Sequence, residues 1–588
     1  MKGLEPSRRE AHAPKACVST NSTTSAYKAL YLLPKLIAIC AIIITTNVRR
    51  EHRQMSKVAT YLQGHVAGMV SARTDLRKMY ATDGSILTKQ PDMVIYPKNT
   101  NDIRKVMRFA WQLSEKGHTI PVSARGFGRN VTGAAITKGI VLDPTHHMNH
   151  VYEYEPKQKL IRLQPGVAVA TVDNALRLHG TAIPSMYGLN ASVGGVIADD
   201  GRGMLAGKYG GPSTTVSQLE VVLDTGDVIQ TGRISKREYN RRLGMQGREG
   251  DIYRGIGAVL EDFAPIIDEL AKSTVNDAGG YPGIVDVAGK GGSIDLTPLF
   301  IGSQGTLGII TEMILRAEYL PSQLALGVAA FSDEATARDA VDLLFRHQPA
   351  VLEYYDARFF AESLKQGNSY QWLFGKDSPT AQTVLLFGFD EHGERVRAKK
   401  LQKAAKALQQ ADCTLALSTQ LDAETILSVR DVVAYAATPS THIDHGSPVL
   451  GEYMYVPDVH LDEFVTGLRE LEKKLHVELP LYGSALGQLY TVRPQLSLQK
   501  VGDKQKALKI IGQLTELVLK AEGSLVGAGG EGRLLSRFVR STWSDELQQL
   551  HDAIKDVFDP HRILNPDSKS NVELKSLVAD LRSDNFFG

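Results

Sequence analysis

At 588 residues the chain is too long for one hydrophobic core, so two or three domains are expected. Its 43% hydrophobic and 22% charged residues are those of an ordinary soluble globular protein, and a formal charge of +2 gives no electrostatic case for nucleic acid or an acidic membrane as partner. Only Cys17, Cys40 and Cys413 are present, which excludes a disulfide framework and a Cys-ligated iron–sulfur cluster in the body of the chain.

Residues 1–54 read differently from the rest. A Ser/Thr-rich start precedes the apolar run 29–48, which Pro34 and Lys35 interrupt and Arg49, Arg50 and Arg53 follow. A membrane-spanning helix takes about 20 apolar residues, and 36–46 supplies roughly half. Positive charge on both sides sets no orientation. Three readings remain: a weak membrane anchor, a signal-like segment, or a translated stretch upstream of a start at Met55. The last is favoured, because MSKVATYL opens an ordinary helical segment. The expected location is cytoplasmic, with at most peripheral association at the inner face of the membrane.

Past a helical segment at 55–91, 92–97 reads as a strand. The helix 101–116 ends at Gly117 and carries Ile103, Val106, Met107, Ala110 and Leu113 as its core face. Strand 119–124 runs into the loop RGFGRNVTG (125–133). Strand 160–163 ends at Pro165–Gly166, and a helix over 169–178 closes at Gly180. The glycine-studded stretch 185–210 has no periodicity, and aperiodic stretches of this length usually line a site. Segments 219–223 and 228–231 form a hairpin, and 233–295 is helical and loop-like. In LFIGSQGTLGIIT (299–311) a strand-like entry meets a loop with Gly302, Gly305 and Gly308, then a β-branched strand.

Beyond Pro321 strand–helix–strand units follow. They comprise strand 325–331 with helix 334–347, and strand 383–389 with helix 394–411 and strand 414–418. Strand 452–456 leads to helix 461–475 and two strands around 479–482 and 489–494. An amphipathic helix spans 504–521, and FDPHRILNPD (558–567) reads as an irregular, anchored strap. GAGGEG (527–532) fits a dinucleotide fingerprint in letters only, because it follows a long helix and lacks both the second βαβ strand and the ribose-binding acid.

Three loops with backbone left bare by glycine can press N–H groups against a flat or anionic ligand. With LQPGV (163–167), LEVVLDTGDVIQTG (219–232), GSQGTLGIIT (302–311), VRP (492–494) and FDPHRILNP (558–566), they resemble the vanillyl-alcohol-oxidase (PCMH-type) superfamily. The branch resembled is that of glycolate oxidase and D-lactate dehydrogenase, over roughly 65–568. The resemblance implies an α+β chain. A PCMH-type, two-subdomain FAD-binding domain (92–320) precedes a ferredoxin-like α/β substrate domain (321–545) and a strap (546–588) that returns to the flavin domain. It implies FAD bound by Arg125, Gly126, Phe127, Gly128, Arg129, Asn130, Thr132 and Gly133. Val193, Gly194, Asp200, Gly203, Gly305, Gly308, Ile309 and Asn565 complete the set. No His lies in 125–133, so noncovalent attachment is expected.

In that branch two His and a Glu hold a divalent metal, and a further His takes the proton of a 2-hydroxy acid while hydride passes to flavin. This chain departs at those positions. Alignment places Ser484 and Thr491 where two His belong, and Ala528 and Gly529 where Glu and His belong. None of these residues can ligate zinc or act as a base near neutral pH. Asp199 and Asp200 bring negative charge towards an anionic cofactor unless Arg202 offsets it. As substitutes, Glu531 is a candidate base and Arg430 and Arg493 candidate carboxylate ligands. His442 and His445 suit a polar loop better than a site, and Tyr482 and Tyr490 suit packing. The expected function is FAD-dependent oxidation of a small 2-hydroxy acid without a metal, with a quinone, cytochrome or other carrier as electron acceptor. The alternatives are a flavin-binding relative without catalysis, and an enzyme acting on another alcohol such as a sugar.

Overall fold

Among the described residues three larger sheets follow one another along the chain, each with its own helices, beside one two-stranded pair. The computed structural model describes residues 57–586 apart from 187, 189, 322, 376–380 and 438–444. The 1–54 extension and His442 lie outside the described residues. Residues 56–588 form one compact unit.

The first sheet joins β1 (Met69–Ser71), β2 (Met93–Tyr96), β3 (Val122–Ala124) and β4 (Ile140–Leu142) in the order β1-β2-β4-β3, with β2 and β3 parallel to β4. Helix Thr100–Ser114 buries Ile103, Val106, Met107 and Ala110 at the spacing expected of a core face, and Asn99 caps it by accepting from Asp102 N. The 125–133 loop therefore leaves the end of a buried strand whose position is fixed.

In the second sheet β5 (Val151–Glu155), β6 (Leu160–Leu163), β8 (Val216–Val222), β9 (Val228–Gln230) and β10 (Ile309–Arg316) run antiparallel in the order β5-β6-β10-β8-β9. The two-residue β7 (Thr181–Ala182) pairs apart with β11 (Glu318–Tyr319). The segment before Gly302 is the short helix Thr297–Phe300 and not the expected strand, with Pro298 in its first turn, a placement that favours helix. The aperiodic stretch 185–210 also contains two short helices, Val193–Ala198 and Ala206–Tyr209. The first carries two glycines, which disfavour helix, and is held instead by burial of Val193, Val196 and Ile197 and by the Ser192 cap.

The third sheet has seven strands, all antiparallel: β12 (Ala325–Phe331), β13 (Val351–Asp356), β14 (Thr383–Phe389), β15 (Cys413–Leu417), β16 (Gly451–Tyr455), β17 (Leu481–Ser484) and β18 (Leu489–Val492). Their order is β15-β12-β14-β13-β17-β18-β16. Helices Glu334–Phe345, Glu394–Leu408, Leu461–Leu475 and Val501–Lys520 share one core with Phe331, Leu352, Leu385 and Phe387. Phe359, Phe360, Tyr370 and Leu373 pack with Val328, Val351 and Leu386 in a second core. The central β13 and the following helix Arg358–Lys365 are additions to the sequence reading. After helix Asp545–Phe558 the strap is irregular, as expected, and returns to the first sheet: Val122 N donates to Ile563 O and Asn565 N to Val122 O. Among the described residues no helix is long and apolar enough to cross a membrane.

Candidate functional site

The three glycine-bearing loops meet around one cavity of about 1090 Å³ of empty space. The first loop contributes Arg125, Gly126, Phe127, Gly128, Arg129 and Asn130, the second Gly194 and Gly195, and the third Ser303, Gln304, Gly305, Gly308 and Ile309. A Cβ added at Gly305 would meet no atom within 4 Å, so this backbone faces open space. Walls of bare main chain accept a planar ring at close range and offer N–H donors to a pyrophosphate.

Behind these walls lies a buried polar frame. Gln304 Nε2 donates to Asp199 Oδ1 (2.7 Å), Gly529 O (3.2 Å) and Thr132 Oγ1 (3.3 Å), and Gln304 Oε1 accepts from Gly532 N (2.8 Å). Asn565 Nδ2 donates to Ala134 O (2.9 Å) and Gln304 O (2.6 Å), and its Oδ1 accepts from Arg533 Nη2 (2.7 Å). The GAGGEG segment thus braces the flavin-side loops and opens no helix of its own.

Several expected cofactor ligands prove to be parts of that frame. Thr132, Gly133, Val193, Asp200 and Asn565 do not line the cavity, and Gly203 lines a neighbouring one. Thr132 O accepts from Arg533 N and Leu534 N, Gly133 O from Arg533 Nη1, and Val193 is fully buried core. Asp200 pairs with Arg202 (2.6 Å), which supplies the expected charge offset. Asp199 does line the cavity. Burial and the nearby Glu452 carboxylate push its carboxyl well above the usual range, which favours its neutral form and removes the conflict with an anionic cofactor.

A second cavity, with about 2270 Å³ of empty space, adjoins the first through Arg129, Ala191 and Tyr453, which line both. Arg202, Arg430 and Arg493 also line it, with Tyr355, Tyr482 and Ser484. Arg430 Nε donates to Glu353 Oε2 (2.9 Å), and Arg493 Nη2 to Ser447 O (2.8 Å). Tyr482 lines this cavity while its ring packs edge-on against Phe359, and Tyr490 is fully buried.

Glu531 lines neither cavity. Its carboxylate is fully buried in an ion pair with Lys569 (2.7 Å) and accepts from Gly280 N (3.0 Å), so it cannot reach a substrate hydroxyl. His445 is exposed and lines neither cavity. The residues expected in place of metal ligands have other tasks. Ser484 Oγ accepts from Gly487 N (3.0 Å) and the buried Thr491 Oγ1 from Tyr453 N (3.1 Å). With Ala528 and Gly529 contributing no ligand, this donor set does not fit a divalent metal. Among the described residues no cluster of three His, Cys, Asp or Glu could hold one.

Sequence reasoning missed Ser192, Glu452 and Tyr453 in the cofactor cavity. Strand alternation turns neighbouring side chains to opposite faces, yet both Glu452 and Tyr453 line it. A bulge between Gly451 and Met454, with Tyr453 at φ +50°, turns both inward. The residue letters carry no clear signal for such a bulge.

Comparison with known proteins agrees with this geometry. Residues 91–232 match an FAD binding domain and 320–568 the C-terminal domain of FAD linked oxidases. D-2-hydroxyglutarate dehydrogenase of Pseudomonas putida is 25% identical over 511 residues; the match takes in 85% of this chain, which spans about half (50%) of that relative's length. Glycolate oxidase subunit GlcD of Bacillus subtilis is 24% identical across 89% of this chain and 97% of its own. In structure, 4-ethylphenol oxidase from Gulosibacter chungangensis superposes with a TM-score of 0.64 over 89% of this chain and 99% of that one, at 15% identity. FAD is the cofactor of this fold, and the residues lining the first cavity fit it. The chain belongs to the FAD-linked oxidoreductases of the PCMH-type superfamily, on the branch of the D-2-hydroxyglutarate, glycolate and D-lactate dehydrogenases and oxidases.

Proposed function

We propose that this chain oxidises a small 2-hydroxy acid to the 2-oxo acid with noncovalent FAD and without a divalent metal in the substrate site. Residues 92–320 serve as the cofactor domain, 321–545 as the substrate domain and 546–588 as the returning strap. When bound, FAD supplies the acceptor for the hydride on the substrate's C2. A separate carrier of the quinone or cytochrome class then receives the electrons.

The observation that carries this reading is the set of cations around the second cavity. Arg430 and Arg493 from the substrate domain share it with Arg129 and Arg202 from the flavin-side loops, where the two cavities join. A planar guanidinium can grip a carboxylate through two parallel N–H···O bonds, which fixes both the position and the rotation of the acid. Arg430 is itself oriented by Glu353, and Arg493 by the Ser447 carbonyl. Noncovalent attachment is supported by a cavity lining without His or Cys among the described residues.

The engagement of Ser484 and Thr491 in backbone hydrogen bonds favours a second reading, a flavin-binding relative that no longer catalyses. Anaerobic addition of D-lactate, glycolate or D-2-hydroxyglutarate to the purified yellow protein separates the two. Bleaching of the visible flavin bands supports oxidation. A protein that stays yellow across the panel supports the second reading, and a colourless protein overturns both.

A further inference from the structure

We infer that Glu452, which lines the cofactor cavity next to Tyr453, a residue that lines both cavities, is the base that takes the substrate's hydroxyl proton. The inference rests on the hydroxy-acid reading above and deepens it at one residue.

Four observations carry it. The bulge in β16 turns Glu452 and Tyr453 towards the flavin cavity together, and a non-glycine residue held at φ +50° is a conformation sustained only by its surroundings. Gly529, at φ +81°, contributes no side chain there. A Cβ at that position would lie 2.9 Å from the Tyr453 ring, so the glycine makes room for that ring, and 3.4 Å from Glu452 Oε2, an ordinary contact. Glu452 and Asp199 are the two carboxylates in the cavity lining, and they differ in how they are held. Asp199 Oδ1 accepts from Asn130 and Gln304, both at 2.7 Å, whereas among the described residues nothing hydrogen-bonds to Glu452. Finally, Glu452 stands near enough to the Arg493 guanidinium, which lines the second cavity, for the two charges to interact.

The groups facing Glu452 set its proton affinity. Burial raises it, the Arg493 guanidinium opposes that rise, and the carboxyl is pushed up to about 7. Tyr482 faces it from β17, and Asp199 from the end of helix Val193–Ala198, itself under the influence of Lys569. A base poised near neutrality combines a usable ionised fraction with real proton affinity.

The step balances without a metal. Glu452 Oε2 gains the hydroxyl proton as the substrate O–H bond breaks. The C2–H bond breaks with its electron pair leaving to the flavin, and the C–O bond becomes a carbonyl. The acid is oxidised by two electrons and the flavin reduced by two, to be reoxidised by the carrier of the quinone or cytochrome class.

The test compares wild-type holoprotein with Glu452→Gln and Glu452→Asp. Anaerobic bleaching by D-lactate, glycolate and D-2-hydroxyglutarate is followed from pH 5 to 9, and oxalate binding is read from the shift of the flavin spectrum. The wild-type bleaching rate should rise with pH through about 7. In Glu452→Gln the rate should fall by about 100-fold or more and lose that rise. The variant should still hold FAD with a normal spectrum and bind oxalate, without the wild type's pH dependence near neutrality. Glu452→Asp should keep the pH-dependent rise at a reduced rate. Wild-type bleaching with a Gln variant within threefold of it, or with the same pH profile, overturns the role of Glu452 alone. A wild type that none of the acids bleaches overturns the hydroxy-acid reading and the base with it.

Discussion

The two cavities are built by opposite means. The flavin side brings together glycine backbone from three loops, with the Gln304, Asn565 and Arg533 frame behind them. The substrate side is a wall of charged and hydroxyl side chains. Main-chain recognition is written in backbone angles, so it tolerates wide sequence drift as long as the glycines and the frame persist. Side-chain chemistry is written in residue identity and can be rewritten one position at a time. This fits a chain about 25% identical to its relatives that keeps the loops for FAD while Ser484, Thr491, Ala528 and Gly529 offer neither a metal ligand set nor a base.

Four experiments press on that contrast. The largest effect is expected in the frame. Lys569→Met leaves the fully buried Glu531 without its partner and should lower unfolding free energy by about 3–5 kcal/mol in a urea titration. A loss below about 1 kcal/mol would mean that the pair is not structural.

Next is the cation set. Arg493→Met should weaken oxalate binding by about 10–100-fold, the worth of a charge-assisted hydrogen bond, while FAD content stays unchanged. Equal loss of FAD would erase the distinction between the two walls.

A smaller effect concerns stability at Glu452. Its carboxyl is raised from 4.5 to about 7, so the folded state holds the proton more tightly than the unfolded chain. Stability is then present below 4.5 and lost as pH rises through 7. Glu452→Gln removes that loss and should be more stable than wild type by up to about 3 kcal/mol at pH 8, with the two alike at pH 4. An ionisable group that lowers stability at working pH is the signature of a site kept for function. Last, dialysis against a chelator should change the bleaching rate by less than about twofold, and rescue by added zinc or manganese would count against the metal-free reading.

Much of this was legible in the residues. Strands 160–163, 325–331 and 383–389 and the helix 461–475 have the bounds that their patterns gave, because the strands are short apolar runs and the helix repeats its apolar residues every three to four positions. Strand β13 escaped because Glu353 and Asp356 break its apolar run. Both are buried, and their charges are met by Arg430 in one case and by Arg358 and Arg469 in the other, all distant in pattern if not always in sequence. The glycine loops announced the cofactor cavity, because bare backbone has few other uses in such number. Which loop residues line the cavity and which only hold the frame was not legible: the side chains of Thr132, Asn130 and Asn565 all bond to neighbouring chain, yet Asn130 alone of the three also lines the cavity. Glu531 drew attention by its neighbours in sequence, and Glu452 was hidden by a bulge.

The frame also makes the cofactor and the C-terminus answer to each other. The side chain of Gln304, in the third flavin loop, bonds to Thr132 in the first loop, to Asp199 in the second, and to Gly529 and Gly532, while its main-chain oxygen takes a hydrogen bond from Asn565 in the strap. These shared bonds couple the loops to the strap, and the coupling free energy is the same whether the ligand orders the strap or the strap strengthens the hold on the ligand. Amide hydrogen exchange at 558–567 should therefore slow when FAD is added, in a segment whose residues, among those described, do not line the cofactor cavity.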